Sequence, residues 1–232
     1  MRETGRPPVV CVHGAGAGGW EWSLWARVLA ARGFAVLAPD LRPAAGGLAA
    51  TRFEHYAAQV VAWCGGAGEA PVLVGASLGG LLALAVAAAV RPSALVLVNP
   101  VPPRGIAPPP AAPHPAIVPW GRARSLASTQ RALPDADAAA CLYAFRRWRD
   151  ESGAVLDAAR GGIAVARPDC ATLVIASERD TDVPLAHSRA LAASLAADFE
   201  ALPGASHVAP LLGRIAPDVA ARVADWLAAR VA

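Results

Sequence analysis

Residues 71–90 read PVLVGASLGGLLALAVAAAV, and this stretch decides the fold. Pro71–Gly75 is a short, β-branched and Leu-rich run of the length of a buried strand. From Leu78 to Val90 almost every residue is Ala, Leu or Val, which gives a helix without a polar face, one that must be buried. Between the two lies Gly75-Ala76-Ser77-Leu78-Gly79. The G-x-S-x-G pattern alone is a weak signal, but its setting is specific. A strand that turns directly into a helix through a Ser holds the hydroxyl above the carboxyl edge of a sheet. Glycines on both sides remove the Cβ clashes of so tight a turn. The positive end of the helix points at the same spot, where negative charge develops in acyl transfer. The competing reading is a structural Gly-rich turn.

Outward from this stretch, short apolar runs alternate with longer Ala/Leu-rich segments. Strands are expected at Pro8–Val12, Ala35–Ala38, Pro71–Gly75, Ala94–Val98, Thr172–Ala176 and Asp198–Leu202. Helices are expected at Trp22–Ala31, Thr51–Cys64, Leu78–Val90, Leu185–Ala196 and Pro217–Val231. Continuously apolar strands such as VLVG and ALVLV belong to a mostly parallel sheet covered by helices on both faces, an α/β fold. With 232 residues and 55% apolar content the chain reads as one domain, 1–232. Residues 101–168 break the rhythm: they open with VPPRGIAPPPAAPHP, turn helix-like around Ala136–Arg149, and hold no convincing strand. This is expected to be a small helical, Pro-rich cap inserted between two sheet strands. No fixed-period repeat is present.

Composition excludes several chemistries. Every basic residue is Arg; with no Lys in the chain, Schiff-base catalysis and a Ser–Lys dyad are ruled out. A net charge of +3 without a basic stripe outside the insertion disfavours nucleic acid. Cys11, Cys64, Cys141 and Cys170 lack ligand spacing and read as small buried residues in a reducing compartment, and no metal cluster is expected. The start, MRETGRPPVVCVHG, lacks a secretory h-region, and the run Leu81–Val90 is too short to span a bilayer. A cytoplasmic protein without a membrane partner, monomer or homodimer, is the expectation.

The first strand runs into His13-Gly14-Ala15-Gly16-Ala17-Gly18-Gly19-Trp20-Glu21-Trp22. A phosphate-binding loop is the rival reading, and it fails on the missing Lys-[ST] of a P-loop. It fails also on the lack of an acidic residue in a dinucleotide-binding context; Asp40 is followed by Leu-Arg-Pro, a loop. As a loop whose N–H groups face Ser77 the segment makes sense. Here the chain resembles the α/β-hydrolase superfamily, in the branch whose first loop reads H-G-A-x-x-G-x-W-x-W. That branch holds plant-type methylesterases, hydroxynitrile lyases and bacterial carboxylesterases. The resemblance covers nearly the whole chain except the insertion, and the chain begins at what would be the family's third strand. It implies an oxyanion hole made by the N–H groups of Ala15 and Leu78, with His13 a structural turn residue. No cofactor is implied.

The base and the acid follow downstream in the order Ser, acid, His. His207, in LPGASHV after the last strand, sits where a base can reach back, and the superfamily's G-x-x-H turn is similar. His55 and His187 fall in helices and His114 among prolines. The acid follows the strand Thr172–Ala176, in SERDTDVP. The segment is similar to the superfamily's G-x-x-D-x-x-V-P turn, which maps the acid onto Asp180. Asp182 is expected to cap the next helix, and Glu178 to sit too close to the strand end. Asn99 occupies the place where some relatives keep the acid.

The insertion carries nine Arg against five carboxylates. An anionic acyl substrate drawn to the cap is one reading; a solvated helix face of Arg146, Arg147 and Arg149 is the other. Trp20 and Trp22 are expected near the substrate. The expected function is hydrolysis of a carboxylic ester of a small molecule through an acyl-enzyme. Thioester, lactone and C–C bond hydrolysis use the same apparatus. Hydroxynitrile lyases of the similar branch depend on a Lys that this chain lacks, and haloalkane dehalogenases use an Asp where Ser77 stands. A slow-turnover binding protein on the hydrolase fold is the alternative from another class.

Overall fold

A computed structural model describes residues 6–67, 70–107 and 112–231. Met1–Gly5, on which the reading of the chain's start partly rests, and Pro108–Ala111 of the Pro-rich run lie outside the described residues. In chain order the elements are β1 (Val9–Val12), α1 (Ser23–Ala31), β2 (Val36–Leu37), α2 (Phe53–Gly66), β3 (Val72–Ala76), α3 (Leu78–Val90) and β4 (Ala94–Val98). Then come β5 (Ile117–Val118), α4 (Leu126–Ala132), α5 (Ala138–Phe145), β6 (Glu151–Ser152) and α6 (Gly153–Gly161). The chain ends with β7 (Ala171–Ser177), α7 (Leu185–Leu195), β8 (Asp198–Leu202), α8 (Ala209–Leu212) and α9 (Ala216–Ala228).

Six strands form one parallel sheet in the order β2-β1-β3-β4-β7-β8. Side chains alternate between its faces, and this splits the core in two. Val9 and Cys11 of β1, with Val72 and Val74 of β3, pack under α1 and α9 through Trp25, Leu29, Val219, Val223 and Leu227. Val10, Val12 and Leu73 face the other way onto α2, α3 and α7. Burial on both faces is why β1, β3 and β4 are continuously apolar, as the sequence pattern requires.

The insertion corrects one expectation. It contains a small antiparallel ribbon, β5 paired with β6, and three helices rather than one. Two-residue strands carry too little periodicity to be read from sequence. Nor do Arg146, Arg147 and Arg149 form one solvated helix face, because α5 ends at Phe145. Arg147 folds over the Tyr143 ring, and Arg149 turns inward. Among the described residues no helix is long and apolar enough to cross a membrane.

Where β3 passes into α3, backbone meets backbone. A Cβ on Gly75 would stand 2.2 Å from the Gly79 carbonyl oxygen, and one on Gly79 would stand 2.2 Å from that of Val12 and 2.5 Å from that of His13. Gly79→Ala should therefore cost about 2–3 kcal/mol or more, read from urea denaturation. Gly65→Ala, on α2 with open space around it, should be neutral or stabilising by about 0.5–1 kcal/mol. An unchanged midpoint for Gly79→Ala would contradict the close approach.

Candidate active site

Ser77 joins β3 to α3 with φ 51° and ψ −117°, a conformation costing an L residue about 1–3 kcal/mol. The surrounding backbone holds it there. Its N–H donates to Val98 O at 2.9 Å, and its carbonyl accepts from Gly80 and Val101, each at 3.0 Å. Gly14 packs against the turn: a Cβ there would lie 3.5 Å from Ser77 Cβ and 3.7 Å from Glu21 Oε2.

Carboxylates hold three N–H groups of the first loop. Gly14 N–H donates to Glu21 Oε2 at 2.9 Å, Gly16 N–H to Glu151 Oε2 at 3.0 Å, and Gly19 N–H to Asp40 Oδ1 at 2.8 Å. Ala15 N–H has no partner among the described residues, and neither does Leu78 N–H at the start of α3. Both residues line one cavity of about 690 Å³ with Ser77 and His207.

His13 braces this loop. Its Nδ1–H donates to Gly14 O at 2.8 Å and its Nε2 accepts from Leu41 N–H at 2.9 Å. Burial drives its pKa down to about 4, the Gly14 bond opposing. A neutral, doubly engaged ring is a strut. Arg149 reaches in from the insertion, its backbone N–H donating to Gly16 O and its Nε to Ala17 O. Tyr56 O–H and the Ser152 N–H donate to Glu151 Oε1, which orients the carboxylate that holds Gly16.

On the far side of the cavity His207 Nδ1 and Asp180 Oδ2 are 2.6 Å apart. Asp180 Oδ1 accepts from the N–H groups of Asp182 and Val183, at 2.8 Å each. The carboxylate is thus fully engaged, and its side chain is sealed from solvent. Burial of the imidazole works to lower its pKa; the Asp180 hydrogen bond and charge, with Asp182 and Glu21 further off, outweigh it and leave it raised. Asn99, with φ 44°, donates from Nδ2 to His207 O at 2.7 Å and to Ser177 Oγ at 2.9 Å. Where some relatives keep an acid, an amide tethers the histidine's loop. Asp180, Asp182 and His207 bring potential ligand atoms within 4.8 Å of one another. With both Asp180 oxygens already bonded, the trio suits a His–carboxylate pair better than a metal.

Several expectations need correcting. Trp20 and Trp22 are not on the cavity wall; Trp120 and Trp148 are. Trp22 is fully buried edge-to-face on Trp25, while Trp20 stacks edge-on behind Trp148, centroids 5.2 Å apart. The 3-10 turn Gly19–Trp22 swings both indoles toward the core and leaves Glu21 facing the cavity. Asp182 does not cap α7, which begins after Pro184 without a side-chain cap, and instead lies on the cavity wall. His187, on α7, also lines the cavity. Glu21 and Glu151 went unnoticed in the sequence, and Arg149 was read only with Arg146 and Arg147 as part of a basic face. The one available signal was a carboxylate set between two Trp in a Gly-rich loop.

The geometry is that of a hydrolase: a strained nucleophile-type turn, a His–Asp pair and unpaired N–H groups around one cavity. Residues 9–226 match the model of the Alpha/beta hydrolase family, and the chain belongs to that family. No curated protein matches the sequence. Among solved structures, a monoacylglycerol lipase of Paleococcus ferrophilus is similar, with 20% identity, a TM-score of 0.73, and 97% of this chain and 96% of that one covered. A pyrethroid hydrolase from Sphingobium faniae JZ-2 has 21% identity, a TM-score of 0.69 and coverage of 96% and 98%. Polyneuridine aldehyde esterase has 16% identity, a TM-score of 0.70 and coverage of 96% and 99%. At these identities the likeness shows the fold.

The raised His207 pKa has a measurable consequence. The folded protein holds this proton more tightly than the unfolded chain, so the pair's stabilisation is complete below the ordinary value of 6.5 and is lost as pH rises through the folded one. Asp180→Asn leaves the burial and removes the charge. An NMR titration of His207 should therefore show a pKa lower by about 1–3 units in the variant; an unshifted pKa would detach Asp180 from the imidazole.

Proposed function

We propose that this chain is a serine esterase acting on small-molecule carboxylic esters. The observation that carries the reading is the one cavity lined by Ser77, Ala15, Leu78 and His207, the last paired behind the wall with Asp180. Ser77 Oγ attacks the ester carbonyl while His207 Nε2 takes its proton. Asp180 fixes the Nδ1–H tautomer and offsets the imidazolium charge. The Ala15 and Leu78 N–H groups receive the oxyanion. Collapse expels the alcohol, which leaves with the proton from His207, and water then cleaves the acyl-enzyme by the same route in reverse. No cofactor is needed for these steps. The names of the similar structures, a lipase, a pyrethroid hydrolase and an esterase, support ester chemistry. Thioesters, lactones and C–C bonds activated by a carbonyl are the other substrates of such a site.

The cavity's volume suits a small acyl substrate. Arg124 and Arg160 lie on its wall, and Arg160 has no ion pair among the described residues. This favours an ester that also bears an anionic group. Carboxylated esters should show higher kcat/KM than neutral ones at low salt, and the advantage should shrink as salt rises. Equal values at all salt concentrations would remove the anionic preference.

Fluorophosphonate labelling followed by peptide mass mapping tests the nucleophile. A stoichiometric adduct on Ser77 is expected, formed far more slowly in His207→Ala. Ser77→Ala should lower kcat/KM on an activated ester by about 10⁴-fold or more. Turnover that stalls after one equivalent would favour a binding protein.

A further inference from the structure

Glu21 is the carboxyl that the mechanism above leaves unused. It is 4% exposed, yet it stands on the cavity wall with Ser77 and His207. Its Oε2 accepts the Gly14 N–H at 2.9 Å. Its Oε1 has no protein partner among the described residues and is open to the cavity. Both it and the nucleophile lie close to Gly14: a Cβ there would stand 3.5 Å from Ser77 Cβ and 3.7 Å from Glu21 Oε2.

A buried carboxyl with one oxygen tied to an N–H and the other free has a defined acid form. The tied oxygen is the acceptor, so the proton sits on Oε1, the atom open to a ligand. Burial pushes this group up to about 7, against the Gly14 hydrogen bond and the charges of His207 and Arg149. The other charged or titratable groups on the wall are Asp182, Arg124, Arg160 and His187. A bound apolar substrate expels more water and favours the acid form further.

We propose that Glu21 binds the substrate as a neutral acid, its Oε1–H donating a hydrogen bond to an acceptor oxygen of the ester held at Ser77. The contact rests on the esterase reading and adds a side-chain donor to the N–H groups of Ala15 and Leu78. No proton is transferred: it stays on Glu21 throughout. In its ionised form Glu21 sets a negative charge beside the developing oxyanion and opposes the reaction. Substrates with an acceptor oxygen next to the scissile carbonyl gain most.

The test is the pH dependence of kcat/KM on a neutral p-nitrophenyl ester for wild type, Glu21→Gln and Glu21→Leu, from about pH 5.5 to 9.5. The wild-type profile should fall on the alkaline side as Glu21 ionises. Glu21→Gln keeps an acceptor for Gly14 and a permanent donor for the substrate, and its profile should lose that fall. Glu21→Leu should be slower by about 10²-fold at the wild-type optimum. Thermal melts check that both variants fold. The infrared carbonyl stretch of a protonated carboxyl, present in wild type at neutral pH and missing in Glu21→Gln, reads the acid form without turnover. Superimposable profiles for wild type and Glu21→Gln, or a Glu21→Leu variant as fast as wild type, would overturn the proposal. Labelled Ser77 alongside indifferent Glu21 variants sinks this contact alone; an unlabelled wild-type Ser77 sinks the esterase reading and the contact with it.

Discussion

The site depends on one close approach of backbone to backbone, where the first turn of α3 lies against the end of β1. Gly79 has no room for a side chain beneath the carbonyls of Val12 and His13. That contact fixes two things at once. It sets the strained Ser77 turn at the carboxyl edge of the sheet, and it brings the following loop, Gly14 and Ala15, within reach of the same point. Parallel pairing of β1 with β3, from Val9 with Val72 to Val12 with Gly75, keeps the two strand ends level. A slip of register would send β1's inward residues to the opposite face of the sheet, so the two hydrophobic cores hold the active-site geometry in place.

The loop is rigid because its polar groups are matched from outside. Glu21, Glu151 and Asp40 each take one of its N–H groups, while Arg149 donates to its carbonyls. Two of these partners, Arg149 and Glu151, belong to the segment between β4 and β7. The same segment that roofs the cavity through Trp120 and Trp148 therefore also holds the loop beneath it. The proposed oxyanion site would gain from such preorganisation, since donors already in position need not reorganise during a reaction. Buried carboxylates that accept several N–H bonds are well matched to this task. Each costs desolvation, and the Tyr56 and Ser152 donors to Glu151 offset that cost.

How much of this could be read beforehand depended on how local each signal was. The apolar strands and the Ala-rich α3 were legible because burial on both faces leaves no polar residue to confuse the pattern. The strand-to-helix turn at Ser77 was legible because it demands glycines at fixed offsets, and the loops that carry Asp180 and His207 because they follow strand ends. Trp20 and Trp22 were misplaced because a 3-10 turn has no lasting periodicity, and only the packing on Trp25 and Trp148 decides which way each indole points. Glu151 could not have been found. Its role lies in a hydrogen bond to Gly16, 135 residues earlier in the chain, which no local pattern encodes.

Three carboxyl groups face or flank the cavity, and their surroundings divide the labour. Asp180 has three hydrogen bonds, two on Oδ1 from the backbone N–H groups of Asp182 and Val183 and one on Oδ2 with His207. The two backbone donors hold the carboxylate in place against the His207 ring. Asp182 is exposed, keeps its water, and acts on His207 only through a screened charge. Glu21 has a single donor and a fully buried position, and there desolvation outweighs the hydrogen bond. A carboxyl thus tends toward the neutral acid where one donor alone replaces the lost water. A second ionised carboxylate near His207 would favour the protonated imidazole further. In the proposed mechanism a Glu21 held near neutrality leaves Asp180 as the carboxylate that orients His207.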